Sequence, residues 1–275
     1  MRPVLVSVMG VDVQSYGVSK ALAALLAAWL LGRAFARLGL KKDDAYSLVL
    51  WATIVGFAGG KVYFLLEHLD QLSWHHLGGS GFTWYGGLAA GVATVLVFIR
   101  RRRLPAAAVA DAAAIPLALA YGVGRLGCWL SGDGTYGRPT DLPWGMAFPD
   151  GVVPTDVPVH PTPLYEALIA VAIAAMLWAM RRRPRRALQI FGVYLVLSGL
   201  ARFGVEYLRI NEPTWAGLTQ PQIWSLVIVV VGGVLLLRRG PGSRSSRRGP
   251  SPTAALSTDK EPHQAEHAPG EVVRP

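Results

Sequence analysis

Cysteine is nearly absent from this 275-residue chain. The single residue, Cys128, excludes an intramolecular disulfide and any metal site built from several thiolates. Acidic residues are scarce as well, 17 Asp and Glu against 27 Lys and Arg, and charged residues make up only 16% of a sequence that is 52% hydrophobic. Soluble domains carry about a quarter charged residues, so this shortage excludes an ordinary soluble enzyme and places the chain among integral membrane proteins. The formal net charge of +10 does not indicate nucleic acid, because the arginines stand in short clusters at the ends of apolar segments, where topology signals belong. The N-terminus, MRPVLVSVMGVDVQSYG, lacks a charged start followed by a continuous apolar core and a small-residue cleavage site, so no removable signal peptide is expected. No repeat of fixed period and no second domain is visible.

What the chain does have is about seven apolar segments near the ~20 residues needed to cross a bilayer, at 17–38, 46–66, 81–99, 105–130, 163–180, 188–208 and 222–238. The expected fold is an all-α polytopic membrane protein over residues 1–239, followed by a disordered tail at 240–275 rich in Ser, Pro, Gly and charge. Basic residues collect in alternate loops: Arg33, Arg37, Lys41 and Lys42; Arg100 to Arg103; Arg181 to Arg186, interrupted by Pro184; and Arg238 onward. The positive-inside rule then puts the N-terminus outside, the C-terminus in the cytoplasm and the long 131–162 loop on the outer face.

This topology gives the polar residues inside the spans a depth. Tyr16, Lys61, Glu67, Tyr85, Arg125, Tyr165, Glu166, Arg202 and Glu206 all fall toward the outer ends of their segments. Arg125 lies about six residues, roughly 9 Å, below the outer end of the fourth. An arginine inside an apolar segment costs roughly 2.5 to 3.5 kcal/mol and seldom stands there without a partner, so the concentration in one leaflet indicates a single outward-facing cavity that holds an anion. Plainer readings stand beside this one. Arg202 and Glu206, at i and i+4, equally describe an intrahelical ion pair, while Lys61 and Glu67 can snorkel to the interface. Trp84, Trp129, Trp144 and Trp224 read as an aromatic belt. His75 and His76 read as loop residues, and Asp111 as a helix cap or a partner for nearby arginines. Cys128, with no histidine in its own helix to activate it, reads as a packing thiol rather than a nucleophile.

The motifs Gly124-Arg125-Leu126-Gly127, Tyr136-Gly137-Arg138-Pro139-Thr140, Leu142-Pro143-Trp144-Gly145, His160-Pro161-Thr162 with Leu164-Tyr165-Glu166, and Arg202 with Val205-Glu206 resemble the bacterial prolipoprotein diacylglyceryl transferases. The resemblance covers roughly residues 14–238. Weaker echoes are Tyr16-Gly17, Gly60-Lys61, where the family carries an arginine, and Gly86-Gly87-Leu88. The resemblance implies a plasma-membrane enzyme that moves diacylglyceryl from phosphatidylglycerol to the signal-peptide cysteine of a prolipoprotein and releases glycerol phosphate, with no metal or organic cofactor. Arg125 is then expected on the phosphate, with Lys61 and Tyr16 as further lipid contacts, and Arg202 on the charge that grows as the carbon–oxygen bond breaks. Glu166 and Glu206 are expected to orient the arginines, and Asp133 and Gly137 to support the site.

The sequence departs from the family where protons are handled. Tyr85-Gly86-Gly87 stands where the family reads His-Gly-Gly, Cys128 where it has asparagine, and Ser198 where it has tyrosine. Ser131 and Asp133 stand where asparagine and glutamate are usual, with one extra residue before Tyr136. A tyrosine is a poor base near pH 7 unless neighbouring cations lower its pKa, a part open to Lys61 or Arg202. Two readings therefore stay open: a transferase of altered chemistry with Tyr85 in the catalytic set, or a divergent paralogue or lipid-binding protein with another acceptor.

Overall fold

The computed structural model describes residues 2–8, 11–69, 83–182 and 186–238. The expected tail and the His75–His76 pair lie outside the described residues. Seven helices run through the rest: α1 (Ser15–Arg37), α2 (Lys42–Glu67), α3 (Trp84–Arg101), α4 (Ala106–Ser131), α5 (Thr162–Met180), α6 (Gln189–Glu206) and α7 (Gln220–Leu237). Their bounds follow the seven expected segments closely. Five of them, α1, α2, α4, α5 and α7, are long and apolar enough to cross a membrane. The other two, α3 and α6, are 18 residues each and hold two charged residues apiece, which lowers their hydropathy.

The purely helical expectation needs one correction, because two small antiparallel hairpins are present. The strands β1 (Val4–Val8) and β2 (Val11–Gln14) pair just before α1, and β3 (Met146–Phe148) pairs with β4 (Thr155–Val159) inside the long loop between α4 and α5. Valine, which favours extended backbone, recurs in β1, β2 and β4. The second has a core of its own, in which Tyr136 stacks on Phe148 at 5.1 Å and Val159, Trp129 and Met146 pack around them.

Surface and interior are apolar alike, as a lipid-facing bundle requires. Leu25, Phe57, Leu96, Leu168 and Val230 all point outward, whereas the interior between α4 and α5 is built from Ala114, Ala118, Ala174 and Leu177. Where the medium is as apolar as the helices, close packing of small residues holds them together. A Cβ on Gly87 of α3 would sit 3.2 Å from the Gly56 carbonyl oxygen of α2, and one on Gly232 of α7 would sit 2.8 Å from that of Gly192 in α6.

Chain order decides which ends meet. Asp44 at the start of α2 pairs with Arg102 just past α3 at 3.7 Å, and Asp111 near the start of α4 accepts from the backbone N–H of Leu188 and of Phe191, both at 2.8 Å, capping α6. The arginine-rich ends thus gather at one end of the bundle. The ends of α4 and α6 and the beginnings of α5 and α7 gather at the other, together with the loop bearing β3 and β4.

Candidate functional site

Glu166 lies in the second turn of α5 and is 4% exposed. Its depth is set by the start of that helix, where Pro161 and Pro163 open the first turn and Thr162 donates its hydroxyl to the Thr135 carbonyl at 2.7 Å. A carboxylate this deep needs compensating charge. Arg125 Nε of α4 is 3.2 Å from Glu166 Oε2, Arg209 Nη1 is 3.7 Å from the same oxygen, and Arg202 Nε is 3.9 Å from Oε1. Tyr121, one turn before Arg125, donates to Glu166 Oε1 at 2.6 Å and accepts from Arg125 Nε at 3.1 Å.

Glu206 is the second buried carboxylate, 2% exposed. It pairs with Arg202 one turn earlier and, at 4.0 Å, with Arg209 Nε. Its Oε1 accepts from Asn211 and from the Thr219 hydroxyl, the latter at 2.9 Å. Thr219 also closes a capping box with Gln222 at the start of α7, so the helix cap and the ion cluster share one hydroxyl.

Three guanidinium groups thus surround two carboxylates, leaving one positive charge in excess. Glu166 Oε2, Glu206 Oε2, Arg202 Nη1 and Arg209 Nη1 lie within ion-pair distance of one another's groups, but they are not aligned as hydrogen bonds. At 3.7 Å the Arg209 contact is one of charge proximity, with donor capacity on Arg209 unspent. The Arg209 pKa is pushed down first by burial and next by the Arg202 charge, with Glu166 opposing. An anion brought into the cluster offsets the repulsion from Arg202.

The cluster heads a cavity of about 360 Å³ enclosed by α3 to α7. Tyr85, Tyr121, Arg125, Glu166 and Arg202 form its polar end, and Ile169, Ile173, Tyr194, Trp224 and Ile228 its apolar depth. Ser198 is in the wall beside Tyr194. A space charged at one end and apolar along its length matches an amphiphile with an anionic head.

Of the residues singled out from sequence, Arg125, Glu166, Arg202, Glu206 and Tyr85 are brought to this one place. Lys61 and Tyr16 do not line the cavity. Lys61 lies over the Phe64 ring at 5.6 Å on α2, and Tyr16 is half-exposed in the first turn of α1 with Lys20 over its ring at 4.7 Å. Asp133 closes a turn onto Thr135, accepting from its N–H at 3.1 Å and its hydroxyl at 2.6 Å. Gly137 is pressed between neighbours, since a Cβ there would come 2.9 Å from both His160 Cβ and Thr162 Cγ2. Cys128 is buried. Within the expected aromatic belt, Trp224 lines the cavity instead, and Trp144 donates to the Tyr165 hydroxyl at 2.8 Å. Sequence reasoning missed Tyr121 and Arg209. Spacing could have found both, because Tyr121 is four residues before Arg125 and Arg209 three after Glu206. Arg138, read as a loop residue, proves to be a clamp: its N–H donates to the Leu208 carbonyl at 2.7 Å and its Nε to that of Arg209 at 3.1 Å, which holds Arg209 against the cluster.

Apolar helices around a cation-excess cluster, with an amphiphile-shaped cavity beneath it, define a multi-pass membrane protein. Comparison with known proteins narrows the class: the prolipoprotein diacylglyceryl transferase family model matches residues 3–238, and the chain belongs to that family. The chain is similar to phosphatidylglycerol–prolipoprotein diacylglyceryl transferase 2 of Streptomyces coelicolor, at 34% identity over 86% of this chain and 80% of the relative. It is also 34% identical to the transferase of Solidesulfovibrio magneticus, over 89% of this chain and 97% of that one. With the Clostridium tetani transferase it shares 29% identity, over 84% and 95%.

Proposed function

We propose that this chain transfers the diacylglyceryl group of phosphatidylglycerol to the cysteine thiol in the signal peptide of a prolipoprotein, at the outer face of the bacterial plasma membrane. The observation that carries the reading is the excess of one guanidinium over the carboxylates at the head of an apolar cavity, since phosphatidylglycerol presents a single negative charge above its acyl chains. In this reading all seven helices span the membrane, with the arginine-rich ends cytoplasmic and the cavity mouth outside.

Arg125 and Arg209 take the non-bridging phosphate oxygens, where a guanidinium fork outperforms a point charge. The thiolate attacks the glyceryl carbon, the sulfur–carbon bond forms, and the carbon–oxygen bond to phosphate breaks. Negative charge develops on the departing glycerol phosphate and is stabilised by Arg202 until the thiol proton reaches it. Glu166 and Glu206 hold the three arginines in place without filling their remaining donors. The thiol proton passes by way of the Tyr85 hydroxyl, on the cavity wall beside Arg202, to the departing phosphate. Asp133, Gly137 and Arg138 support the loop that presses Arg209 inward.

The test is replacement of a host's own transferase by this chain. Restored growth and conversion of a prolipoprotein to its lipidated form are expected. A well-inserted protein that leaves the precursor unmodified overturns the reading in favour of a paralogue with another acceptor.

A further inference from the structure

At the opposite end of the bundle, about 21 Å from Arg125 along α4 at 1.5 Å per residue, a second cavity of about 780 Å³ opens between α1, α4 and α5 and reaches the start of α6. Its rim carries Arg33, Arg37, Arg181, Arg182 and Arg186, and its floor is apolar, with Leu30, Ile115 and Trp178. The one carboxylate on it, Asp111, has both oxygens committed to the backbone N–H groups of Leu188 and Phe191. Among the described residues none of the five arginines forms an ion pair. Three of them lie against indole rings instead: Arg33 over Trp29 at 4.3 Å, and Arg182 and Arg181 over Trp178 at 4.2 and 5.0 Å.

Five guanidinium groups drawn around an apolar floor against the single charge of Asp111 are, among the described residues, an unbalanced arrangement. The Arg181 pKa is pushed down by partial burial and then by the Arg37 and Arg182 charges, so residues from α1 and from the end of α5 act on one another across the opening. Arginines that serve only to set topology need no cleft and no shared floor. Basic pockets between membrane helices are well suited to lipid head groups, with phosphate among the arginines and acyl chains along the apolar wall. We propose that this cleft binds an anionic glycerophospholipid by its phosphate, as a second lipid site separate from the cavity beneath Glu166. On the orientation proposed above, that lipid comes from the cytoplasmic leaflet; the assignment of the cleft itself does not depend on that orientation.

The experiment is native mass spectrometry of the full chain released from nanodiscs of mixed phosphatidylglycerol and phosphatidylcholine. The unmodified protein is expected to retain two anionic lipids. Arg125→Ala should lose one, and the combined Arg37→Gln, Arg181→Gln, Arg182→Gln variant the other, with affinity at the second site lowered about a hundred-fold. Because loss of positive charge beside a span can disturb insertion, the companion variant carries Lys at the same three positions. It keeps the topology signal, loses the planar fork, and should weaken retention about ten-fold. Retention of only one anionic lipid by the unmodified protein overturns the proposal. So does undiminished second-lipid retention in the Lys variant, and so does displacement of that lipid by excess inorganic phosphate, which would make the cleft a site for a free anion.

Discussion

Changing Glu166 to Gln keeps the side chain's shape and its capacity to accept from Tyr121, but removes the charge on which three arginines converge. At an effective dielectric of about 20, the pair at 3.2 Å is worth about 5 kcal/mol and the pairs at 3.7 and 3.9 Å about 4 kcal/mol each, before the cost of drying the charges is counted. Desolvation offsets most of that sum, and the net loss on breaking a buried pair is about 3 to 5 kcal/mol. The excess positive charge then rises from one to two. In nanodiscs of phosphatidylcholine alone, Glu166→Gln should therefore melt on the order of 10 °C below the unmodified protein. Phosphatidylglycerol supplies the missing negative charge. Its addition should stabilise the variant more than the unmodified protein, because a ligand that binds only the folded state raises stability in proportion to how strongly it is held. Melting curves in the two lipid compositions measure both effects. A variant as stable as its parent, or one stabilised no further by the anionic lipid, would refute the charge-excess account of the cluster.

Other outcomes follow from the same geometry. Arg125→Lys should weaken the preference for phosphatidylglycerol over phosphatidylcholine, and Arg125→Ala should do so more strongly, by about 3 kcal/mol or more; Arg101→Ala, at the other end of the bundle, is the control, because Arg138 holds the Arg209 backbone and is not neutral. With Cys128 replaced by alanine, a cysteine placed at Thr140 should react with a membrane-impermeant reagent on intact cells and one at Ser251 should not; the reverse pattern inverts the proposed orientation. Asp111→Ala uncaps α6 and should cost about 1 to 2 kcal/mol of thermal stability. Asp111→Asn, which keeps an acceptor oxygen, should recover part of that loss in the same melting assay.

Much of the architecture is a local property of the chain. Apolar runs of spanning length, ended by arginine clusters or glycine and proline, mark the seven helices, because backbone polar groups in an apolar medium must be satisfied within each segment. That Arg125, Glu166, Arg202 and Glu206 share one end of the bundle was legible for the same reason: one rise per residue converts sequence position into depth. Depth says nothing about which way a helix is turned. Lys61 and Tyr16 stand at the same level as the arginines, yet the packing of α2 and α1 keeps both off the cavity wall, and Tyr121 joins it only because the α4–α5 contact turns that face of α4 toward Glu166. The two hairpins were hidden because their strands are only three to five residues long, and the long loop's fold depends on contacts of Tyr136, Phe148 and Val159 that no local period reveals. Arg209 lies past the end of its helix and enters the cluster only through the bridge from Gly137 and the clamp from Arg138, 71 residues earlier in the chain. Rotation of helices about their axes and closure of long loops are set by side-chain packing between distant segments, so the charge balance of the cluster and the second basic cleft emerged only from the tertiary structure.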